Sequence, residues 1–484
     1  MTVVWRHGDI LTQCALLEPH SIHTCVTSPP YYGLRDYGIS PTIWPPVRYA
    51  PLPGLPPQSY PETADPEATT TCAHVWEIWS ESHMQREETR HGKTRTTDRH
   101  YGGDASRRFN GNHQKHSHGQ FCRLCGAWRG CLGQEPSPEL YIGHLVQVAR
   151  AIRRVLRPDG TFWLNLGDSY TSGNRASRAR DDKLPQQEMG DRQKTSVGLK
   201  PKDLIGIPWR AAFALQADGW TLRSDIVWAK GVSFAKTWHG NPMPESVTDR
   251  PTRAHEAVFL LTPGPRYFYD HLAIQEPAAN RGVVKIRRCD TLSPSYMPDA
   301  APHAGLHRLN SAPDCPDARN IRDVWTITTK PFKGAHFAVF PPDLIAPMIA
   351  AGSSEKGVCP QCGTPWRRET AKGRKVDTQG GRRAMTQARS DSGLSAQGRT
   401  GALATGVHHV HVTTGWRPGC ACPPQPPVPA TVLDPFGGAG TTALVAQRMG
   451  RHAIHIEPNI EYLRLAQERV AREAWIAAQQ EMAL

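Results

Sequence analysis

A glycine-rich turn near the end of the chain carries the clearest chemical signal in the sequence. It comprises Asp434, Pro435, Phe436, Gly437, Gly438, Ala439, Gly440, Thr441 and Thr442, and it joins a short apolar run to a helical pattern that ends at Gly450. Glycines let the backbone approach a ligand closely, and the free N–H groups at a helix start favour a negative group. Glu457 follows the next apolar run, where the acidic residue that binds a ribose diol lies in nucleotide-binding folds. The sequence therefore predicts a nucleotide-type site.

A second motif lies near the start of the chain, directly after an apolar run that ends at Val26. It reads Ser28, Pro29, Pro30 and Tyr31. Two consecutive prolines cannot continue a helix or a strand ladder, so we predict a rigid, extended loop that leaves the sheet. Alone, this motif is typical of an ordinary proline turn. Paired with the glycine-rich turn, it indicates a functional loop.

The order of these motifs constrains the fold. A doubly wound nucleotide-binding sheet has several more strands after its first glycine turn. The stretch after Gly440 is long enough only for a helix, a strand and a final helix. The remaining strands must come from earlier in the chain, so we predict a circularly permuted α/β fold.

The two motifs together resemble those of the S-adenosylmethionine-dependent DNA amino-methyltransferases in the permuted order called the beta class. That family's catalytic loop reads Ser, Asp or Asn, then Pro-Pro and an aromatic residue, and its cofactor loop reads Asp-Pro-Phe-x-Gly-x-Gly-Thr-Thr. Residues 160–170, 223–230, 241–246, 255–261, 321–325 and 336–341 are similar to the segments between these loops. The resemblance implies a Rossmann-like methyltransferase fold with a mixed, mostly parallel sheet, S-adenosylmethionine as cofactor and double-stranded DNA as partner.

The resemblance also implies roles for the catalytic loop. Ser28 Oγ and the Pro29 carbonyl accept hydrogen bonds from an amino group on a base, and Tyr31 stacks on that base. A duplex base must first be flipped out of the helix, and the methyl group then moves in one in-line displacement. No cysteine follows a proline, which argues against C5 methylation of cytosine. Serine in the first position, preceded by Thr27, favours cytosine N4, and adenine N6 remains the alternative.

At the cofactor loop the resemblance implies that Phe436 packs along the cofactor and that Thr441 and Thr442 face its carboxylate. Asp9 resembles the family residue near the adenine, and it is equally well placed to be a helix N-cap. A dinucleotide dehydrogenase is a rival interpretation, because Gly438, Gly440 and Ala443 fit the Gly-x-Gly-x-x-Ala fingerprint of dinucleotide-binding folds. The short remaining chain and the Asp-Pro-Phe lead-in disfavour it.

Clustered cysteines and a histidine predict two metal sites. The first cluster consists of Cys72, His74, Cys122 and Cys125, and the second of Cys359, Cys362, Cys420 and Cys422. A Cys-x-x-Cys-Gly turn lets two thiolates face one ion, so we predict structural zinc, with free thiols as the alternative. In the first cluster Cys131 could replace Cys72. Four protein ligands leave no open position, so neither site is expected to be catalytic.

Composition places the chain among large, basic proteins. Its 484 residues have a formal charge of +13 and a pI of about 9.3, which suits a polyanionic partner. The sequence shows neither a signal-peptide pattern nor an apolar run that could span a membrane, so we expect a soluble, cytoplasmic protein. In that compartment the 12 cysteines favour metal binding over disulfides. A cognate restriction endonuclease is an expected functional partner.

We predict two halves of a methyltransferase domain with inserts. Residues 1–40 and 136–280 form the catalytic-loop half, and residues 321–355 and 424–484 form the cofactor-binding half. Residues 41–135 form a proline-rich, zinc-binding insert, residues 281–320 a candidate target-recognition segment, and residues 356–423 a zinc-ribbon insert with a basic loop. Ser137 and Pro138 predict the start of a helix that packs on the sheet. Two other functions stay open: RNA methylation, and DNA binding by a regulator with a vestigial cofactor fold.

Overall fold

The computed structural model describes residues 1–33, 39–61, 72–77, 119–171, 198–233, 245, 247–277, 318–329, 339–377 and 407–482. The strands in chain order are β1 (Val3–His7), β2 (Ile22–Thr27), β3 (Thr42–Trp44), β4 (Val47–Tyr49), β5 (Gln58–Tyr60), β6 (Gln120–Phe121), β7 (Trp128–Gly130), β8 (Leu156–Leu166), β9 (Thr221–Ala229), β10 (His255–Thr262), β11 (Glu276–Pro277), β12 (Ala318–Arg319), β13 (Val324–Thr326), β14 (Arg367–Asp377), β15 (Val407–Arg417), β16 (Thr431–Asp434) and β17 (His452–Glu457). The α-helices are α1 (Ile10–Ala15), α2 (Pro138–Val155), α3 (Ile207–Ala217), α4 (Pro342–Gly352), α5 (Thr441–Arg448) and α6 (Ile460–Met482).

These elements form two units, which are described separately. The first contains residues 1–268, 323–353 and 430–484, and the second contains residues 269–322 and 354–429. Within the described ranges, no helix is both long and apolar enough to cross a membrane.

The first unit is built on an eight-stranded sheet in the order β1-β17-β16-β2-β8-β10-β9-β13. The first five strands in this order, β1, β17, β16, β2 and β8, are parallel to one another. Strand β10 is antiparallel to both of its neighbours, and β13 is parallel to β9. The predicted mixed, mostly parallel sheet is therefore confirmed. Strands β16 and β17, from the end of the chain, lie between β1 and β2, from its beginning. Circular permutation relative to other proteins remains a prediction.

Helix α2 has the predicted start and buried face. Ser137 Oγ accepts a hydrogen bond from the backbone N–H of Leu140, and Pro138 occupies the first turn. The apolar positions expected to face the core are all buried: Tyr141, Leu145, Val148, Ile152 and Val155. The chain then enters β8 at Leu156, which is buried and pairs with Ile22 of β2.

Helix α1 begins at Ile10 because Asp9 caps it. One predicted boundary differs from the structure. Residues 321–325 were expected in the cofactor-binding half, whereas the structure pairs β13 with β9, at the sheet edge farthest from β1. Several predicted segments lie outside the described residues: the basic part of the first insert, residues 241–244, residues 281–317 and residues 378–399.

The second unit contains two small antiparallel pairs, β11 with β12 and β14 with β15. Arg368, in β14, bonds to the buried Asp270 at 2.7 Å and also pairs with Glu355. Val358 and Val428 exchange backbone hydrogen bonds at 2.8 and 2.9 Å, which brings the two ends of this part of the chain together.

Candidate functional site

The two predicted functional loops leave the same edge of the sheet. Strands β2 and β16 are parallel neighbours, so their carboxyl ends meet at one edge. Ser28 follows β2 directly, and the glycine-rich turn follows Asp434 at the end of β16. Thr27 Oγ1 donates a hydrogen bond to Asp434 Oδ1 at 2.7 Å, with both side chains buried. The structure thus brings the proline motif and the glycine-rich turn side by side.

Asp434 organises the glycine-rich turn from inside. Its carboxylate accepts bonds from Thr27, from Thr442 Oγ1 at 2.6 Å and from the backbone N–H of Phe436 at 3.2 Å. Burial raises the pKa of Asp434 to about 6, although these hydrogen bonds oppose the shift. Pro435 is buried, and Phe436 is half-buried against the core. Asp434 therefore shapes the turn, and the hydroxyl of Thr442 is engaged with it.

Glycine is required in the turn for steric reasons. Gly438 and Gly440 have φ values of +49° and +76°, in the left-handed region that favours glycine. A Cβ on Gly440 would lie 2.8 Å from the Cβ of Ala466. Gly440 is also the N-cap of α5, and Thr441 Oγ1 in the first turn accepts a bond from Arg469 at 2.9 Å. The turn is thus a glycine-rich helix start, whose free N–H groups favour an anionic group.

Glu457 lies at the end of β17, beside the turn. Its Oε2 accepts the N–H of Gly438 at 2.9 Å, and its Oε1 accepts the N–H of Asn459 at 2.8 Å. The residue is 6% exposed, and burial raises the pKa of its carboxyl to about 7. A carboxylate has about four acceptor positions, so Glu457 retains capacity for a ligand's hydroxyl groups.

Asp9 lies near this end of the site and has an observed structural role. Its Oδ1 accepts the N–H of Thr12 at 2.9 Å, which makes it the N-cap of α1. The preceding Gly8 donates its N–H to the carbonyl of Glu457 at 3.2 Å. The helix-cap alternative is thus what the structure shows, and a contact with an adenine ring remains a prediction.

Ser28 and Tyr31 belong to a polar cluster that also contains Asn165, Lys230 and Glu256. Ser28 Oγ donates to the Tyr31 hydroxyl at 3.2 Å, and that hydroxyl donates to Glu256 Oε2 at 2.6 Å. Asn165 Nδ2 faces Ser28 Oγ at 3.3 Å, the Tyr31 hydroxyl at 2.8 Å and Glu256 Oε2 at 3.0 Å. Lys230 forms an ion pair with Glu256. The proline motif is therefore tied to strands β8 and β10 and to the residue after β9.

The proline loop is braced from two other sides. The hydroxyl of Tyr141, from α2, donates to the carbonyl of Pro30 at 2.7 Å. The N–H of Gly33 donates to the carbonyl of Gly133 at 2.8 Å. Any Cβ on Gly167 would overlap the Tyr31 ring, so glycine there lets the ring lie against the end of β8. These contacts hold Ser28 to Tyr31 in a defined conformation before any substrate binds.

Sequence reasoning assigned no functional role to Asn165, Glu256 or Lys230, and it placed Tyr141 only on the core-facing side of α2. A signal was available for two of them: Asn165 interrupts the apolar run of β8, and Glu256 precedes the apolar run of β10. Asn165 is 4% exposed, and its Oδ1 has no hydrogen-bond partner among the described residues. A buried acceptor without a partner costs about 1–3 kcal/mol, a cost that a substrate donor could remove.

The first metal cluster assembles as the motif predicts. The ligand atoms of Cys72, His74, Cys122 and Cys125 all lie within 4.8 Å of one another. The two sulfurs of Cys72 and Cys122 are 3.8 Å apart, and Cys125 Sγ is 3.4 Å from His74 Nδ1. Two thiolates on one tetrahedral zinc ion lie about 3.8 Å apart. Cys131 is not part of this group, because its thiol donates to the carbonyl of Ile39.

The second metal cluster consists of Cys359, Cys362, Cys420 and Cys422, with ligand atoms again within 4.8 Å of one another. Its turn has the same geometry as the first. Gly363 N–H donates to the carbonyl of Cys359 at 2.8 Å, as Gly126 does to Cys122 at 2.9 Å. Both glycines have positive φ, +70° and +76°. Each donor set fits a four-coordinate zinc ion.

Comparisons with known proteins agree on one family. The N6/N4 methylase family model, described as a DNA methylase, matches residues 22–359 and 427–468. Type II methyltransferase M.SmaI of Serratia marcescens is 37% identical over 343 residues, which is 71% of this chain and 78% of that protein. Type II methyltransferase M.Cfr9I of Citrobacter freundii is 46% identical over 222 residues, 46% of this chain and 59% of that protein. Among solved structures, the cytosine-N4-specific PvuII DNA methyltransferase aligns with 96% of this chain and 86% of its own at 12% identity, with a TM-score of 0.41.

Proposed function

The chain belongs to the N6/N4 family of DNA methylases, and we propose that it transfers a methyl group from S-adenosylmethionine to the exocyclic N4 amino group of cytosine in duplex DNA. The observation that carries this proposal is the hydrogen bond between Thr27 and Asp434, which fixes the proline motif beside the glycine-rich turn. One loop has the acceptors for an amino group, and the other has the concave backbone for a nucleoside-like cofactor.

The backbone conformation and the acceptor groups of the glycine-rich turn support S-adenosylmethionine as the cofactor. This cofactor supplies a methyl group on a sulfonium sulfur, which can pass directly to a nitrogen. Glu457, which already accepts the N–H of Gly438, would also accept hydrogen bonds from the ribose hydroxyls, and the turn at Gly438 and Gly440 would let the cofactor approach the backbone. The N-terminus of α5, at Thr441, favours the carboxylate of the methionine arm.

The catalytic loop fits an amino group that must be held and made more nucleophilic. Ser28 Oγ donates to Tyr31 and accepts from Asn165, which leaves it one further acceptor position. The Pro29 carbonyl provides the second acceptor. Two acceptors on one amino group hold the nitrogen and shift its lone pair toward the methyl group. The Tyr31 ring, fixed through its hydroxyl, stacks on the flipped base.

The choice of cytosine depends on the first residue of the motif. Serine is smaller than aspartate and carries no charge. In the DNA amino-methyltransferases that the motifs resemble, Ser-Pro-Pro is more typical of cytosine N4 methylation. Adenine N6 is the alternative within the same chemistry. The relatives M.SmaI and M.Cfr9I are named as Type II methyltransferases, which supports a cognate restriction endonuclease as a functional partner of this chain.

Both metal clusters hold structural zinc under this proposal. One cluster supplies three thiolates and an imidazole, and the other supplies four thiolates, so neither site offers a position for substrate. We expect metal analysis of the purified protein to find two zinc ions per chain, one for each cluster. Cys359→Ser should lower this to one, and the matched Cys131→Ser control should keep two. Purified wild-type protein without zinc would contradict the assignment.

The enzymatic proposal is tested by transfer of a labelled methyl group from S-adenosylmethionine to duplex DNA. We expect label in DNA with the wild type and none with Ser28→Ala, while the dissociation constant of the cofactor stays within about twofold. Unchanged transfer by Ser28→Ala would refute the role of the loop. Label that appears only in RNA would replace DNA with RNA as the substrate.

A further inference from the structure

The polar cluster at Ser28 forms a continuous hydrogen-bonded path that ends on a carboxylate. Ser28 Oγ donates to the Tyr31 hydroxyl at 3.2 Å, and this hydroxyl donates to Glu256 Oε2 at 2.6 Å. Every donor along the path points away from Ser28 and toward Glu256. Ser28 Oγ lies at one end, where the target amino group is expected, and Glu256 lies at the other, 13% exposed.

The reaction creates a need for such a path. When an amino nitrogen with two hydrogens gains a methyl group, it becomes cationic, and one N–H proton must leave before the product is neutral. That cation is a far stronger acid than a carboxylic acid, because its lone pair is no longer free. Ser28 cannot keep the proton, since a protonated hydroxyl is itself a strong acid. The proton therefore needs a base beyond Ser28.

We propose that Glu256 is the terminal acceptor of this proton, which it receives through Tyr31 and Ser28. The N–H bond of the methylated amino group breaks as a bond to Ser28 Oγ forms. The proton of Ser28 passes to the Tyr31 oxygen, and the proton of Tyr31 passes to Glu256 Oε2. The base ends neutral and methylated, both hydroxyls are restored, and Glu256 carries the proton. This inference rests on the proposed methyl transfer.

Two neighbours prepare Glu256 for this role. The ion pair with Lys230 holds Oε1 of Glu256, which leaves Oε2 facing the Tyr31 hydroxyl. Asn165 Nδ2 lies within 3.3 Å of Ser28 Oγ, within 2.8 Å of the Tyr31 oxygen and within 3.0 Å of Glu256 Oε2, so it aligns all three groups on one side. Because Glu256 is partly exposed, its proton can return to water after turnover.

The inference is tested with Glu256→Gln in single-turnover methyl transfer. Glutamine can still accept the hydrogen bond from Tyr31, but it cannot take up a proton. General acid–base catalysis contributes about 10²–10⁴-fold, so we expect the rate to fall by at least about 100-fold. The dissociation constants of S-adenosylmethionine and DNA should stay within about twofold, because a purely positional role would be preserved.

Tyr31→Phe supplies a second, independent variant that keeps the ring and removes the relay hydroxyl. It should slow the reaction as Glu256→Gln does, and the double variant should be no slower than either single one, since all three interrupt the same path. A rate within about threefold of wild type for Glu256→Gln or Tyr31→Phe, or additive losses in the double variant, would overturn the inference. If the wild type transfers no methyl group, the proposed function itself fails.

Discussion

Glu457 gives a quantitative prediction about cofactor binding. Its carboxyl is buried beside the glycine-rich turn, and burial raises its pKa from 4.5 to about 7. Ribose hydroxyls donate to a carboxylate, so under the proposed function we expect the ionised form of Glu457 to bind the cofactor. Near neutral pH the protein without cofactor is therefore a mixture of molecules with an ionised and a protonated Glu457. The apparent affinity for the cofactor depends on the ionised fraction.

The magnitude follows from that pKa. With a pKa of about 7, the carboxyl is ionised in about one tenth of molecules at pH 6 and in about nine tenths at pH 8. The dissociation constant of S-adenosylmethionine should therefore be about 10-fold higher at pH 6 than at pH 8. Binding should also release a proton between these values. The nearby Asp434 has a pKa of about 6, so its ionised fraction also rises between pH 6 and pH 8.

The stability of the cofactor-free protein should change in the opposite direction. A carboxyl whose pKa is higher in the folded protein binds more protons when folded, so the free energy of unfolding falls as the pH rises from 4.5 to about 7. For Glu457 the fall is about 3 kcal/mol. Glu457→Gln should remove this contribution, because an amide does not titrate.

The assay is isothermal calorimetry with S-adenosylmethionine at pH 6, 7 and 8, in buffers of different ionisation enthalpy. Glu457→Gln loses charge-assisted hydrogen bonds and should bind about 10-fold more weakly than wild type at pH 8. Its remaining pH dependence should be smaller than that of the wild type. Equal affinity of the wild type at pH 6 and pH 8, or an unchanged pH dependence in Glu457→Gln, would refute the reasoning.

Two further predictions concern the backbone of the site. Tyr141→Phe removes the hydrogen bond to the Pro30 carbonyl, so the methyl-transfer rate should fall about 10-fold or more, with a stability loss of about 1 kcal/mol. The control Tyr49→Phe removes a hydrogen bond to the Glu139 carbonyl of α2 and should lower only the stability. Equal rates for the two variants would exclude a role in positioning. Gly440→Ala places a Cβ against Ala466 at a positive φ and should weaken cofactor binding in titrations. The control Gly450→Ala has a similar φ and should leave cofactor binding unchanged. Equal losses of cofactor affinity in the two variants would exclude a local effect at the turn.

The sequence was sufficient to predict the elements that local patterns determine. The Ser137 cap and the apolar spacing of α2 fix that helix through interactions within a few residues. The mixed, mostly parallel sheet was predicted from the resemblance that the two loop motifs carry, and the structure confirms it. The Cys-x-x-Cys-Gly half of each predicted metal-ligand cluster was predictable because the turn encodes its own geometry, and both turns form the same hydrogen bond.

The remaining features depend on contacts between distant parts of the chain. Glu256 reaches Tyr31 across a separation of 225 residues, and Tyr141 reaches Pro30 across 111. No local pattern encodes such contacts, because strand order in the sheet decides which side chains meet. The inward orientation of Asp434 also could not be read from its motif, since it depends on Thr27 of a neighbouring strand.

The most direct test of the account is nucleoside mass spectrometry on genomic and plasmid DNA from cells that express the protein, with Ser28→Ala as the control. The account predicts N4-methylcytosine with the wild type and none above background with Ser28→Ala. N6-methyladenine in its place would contradict the choice of cytosine and retain the chemistry of the amino group. DNA without any additional methylated base would contradict the central claim that these two loops form a DNA-methylating site.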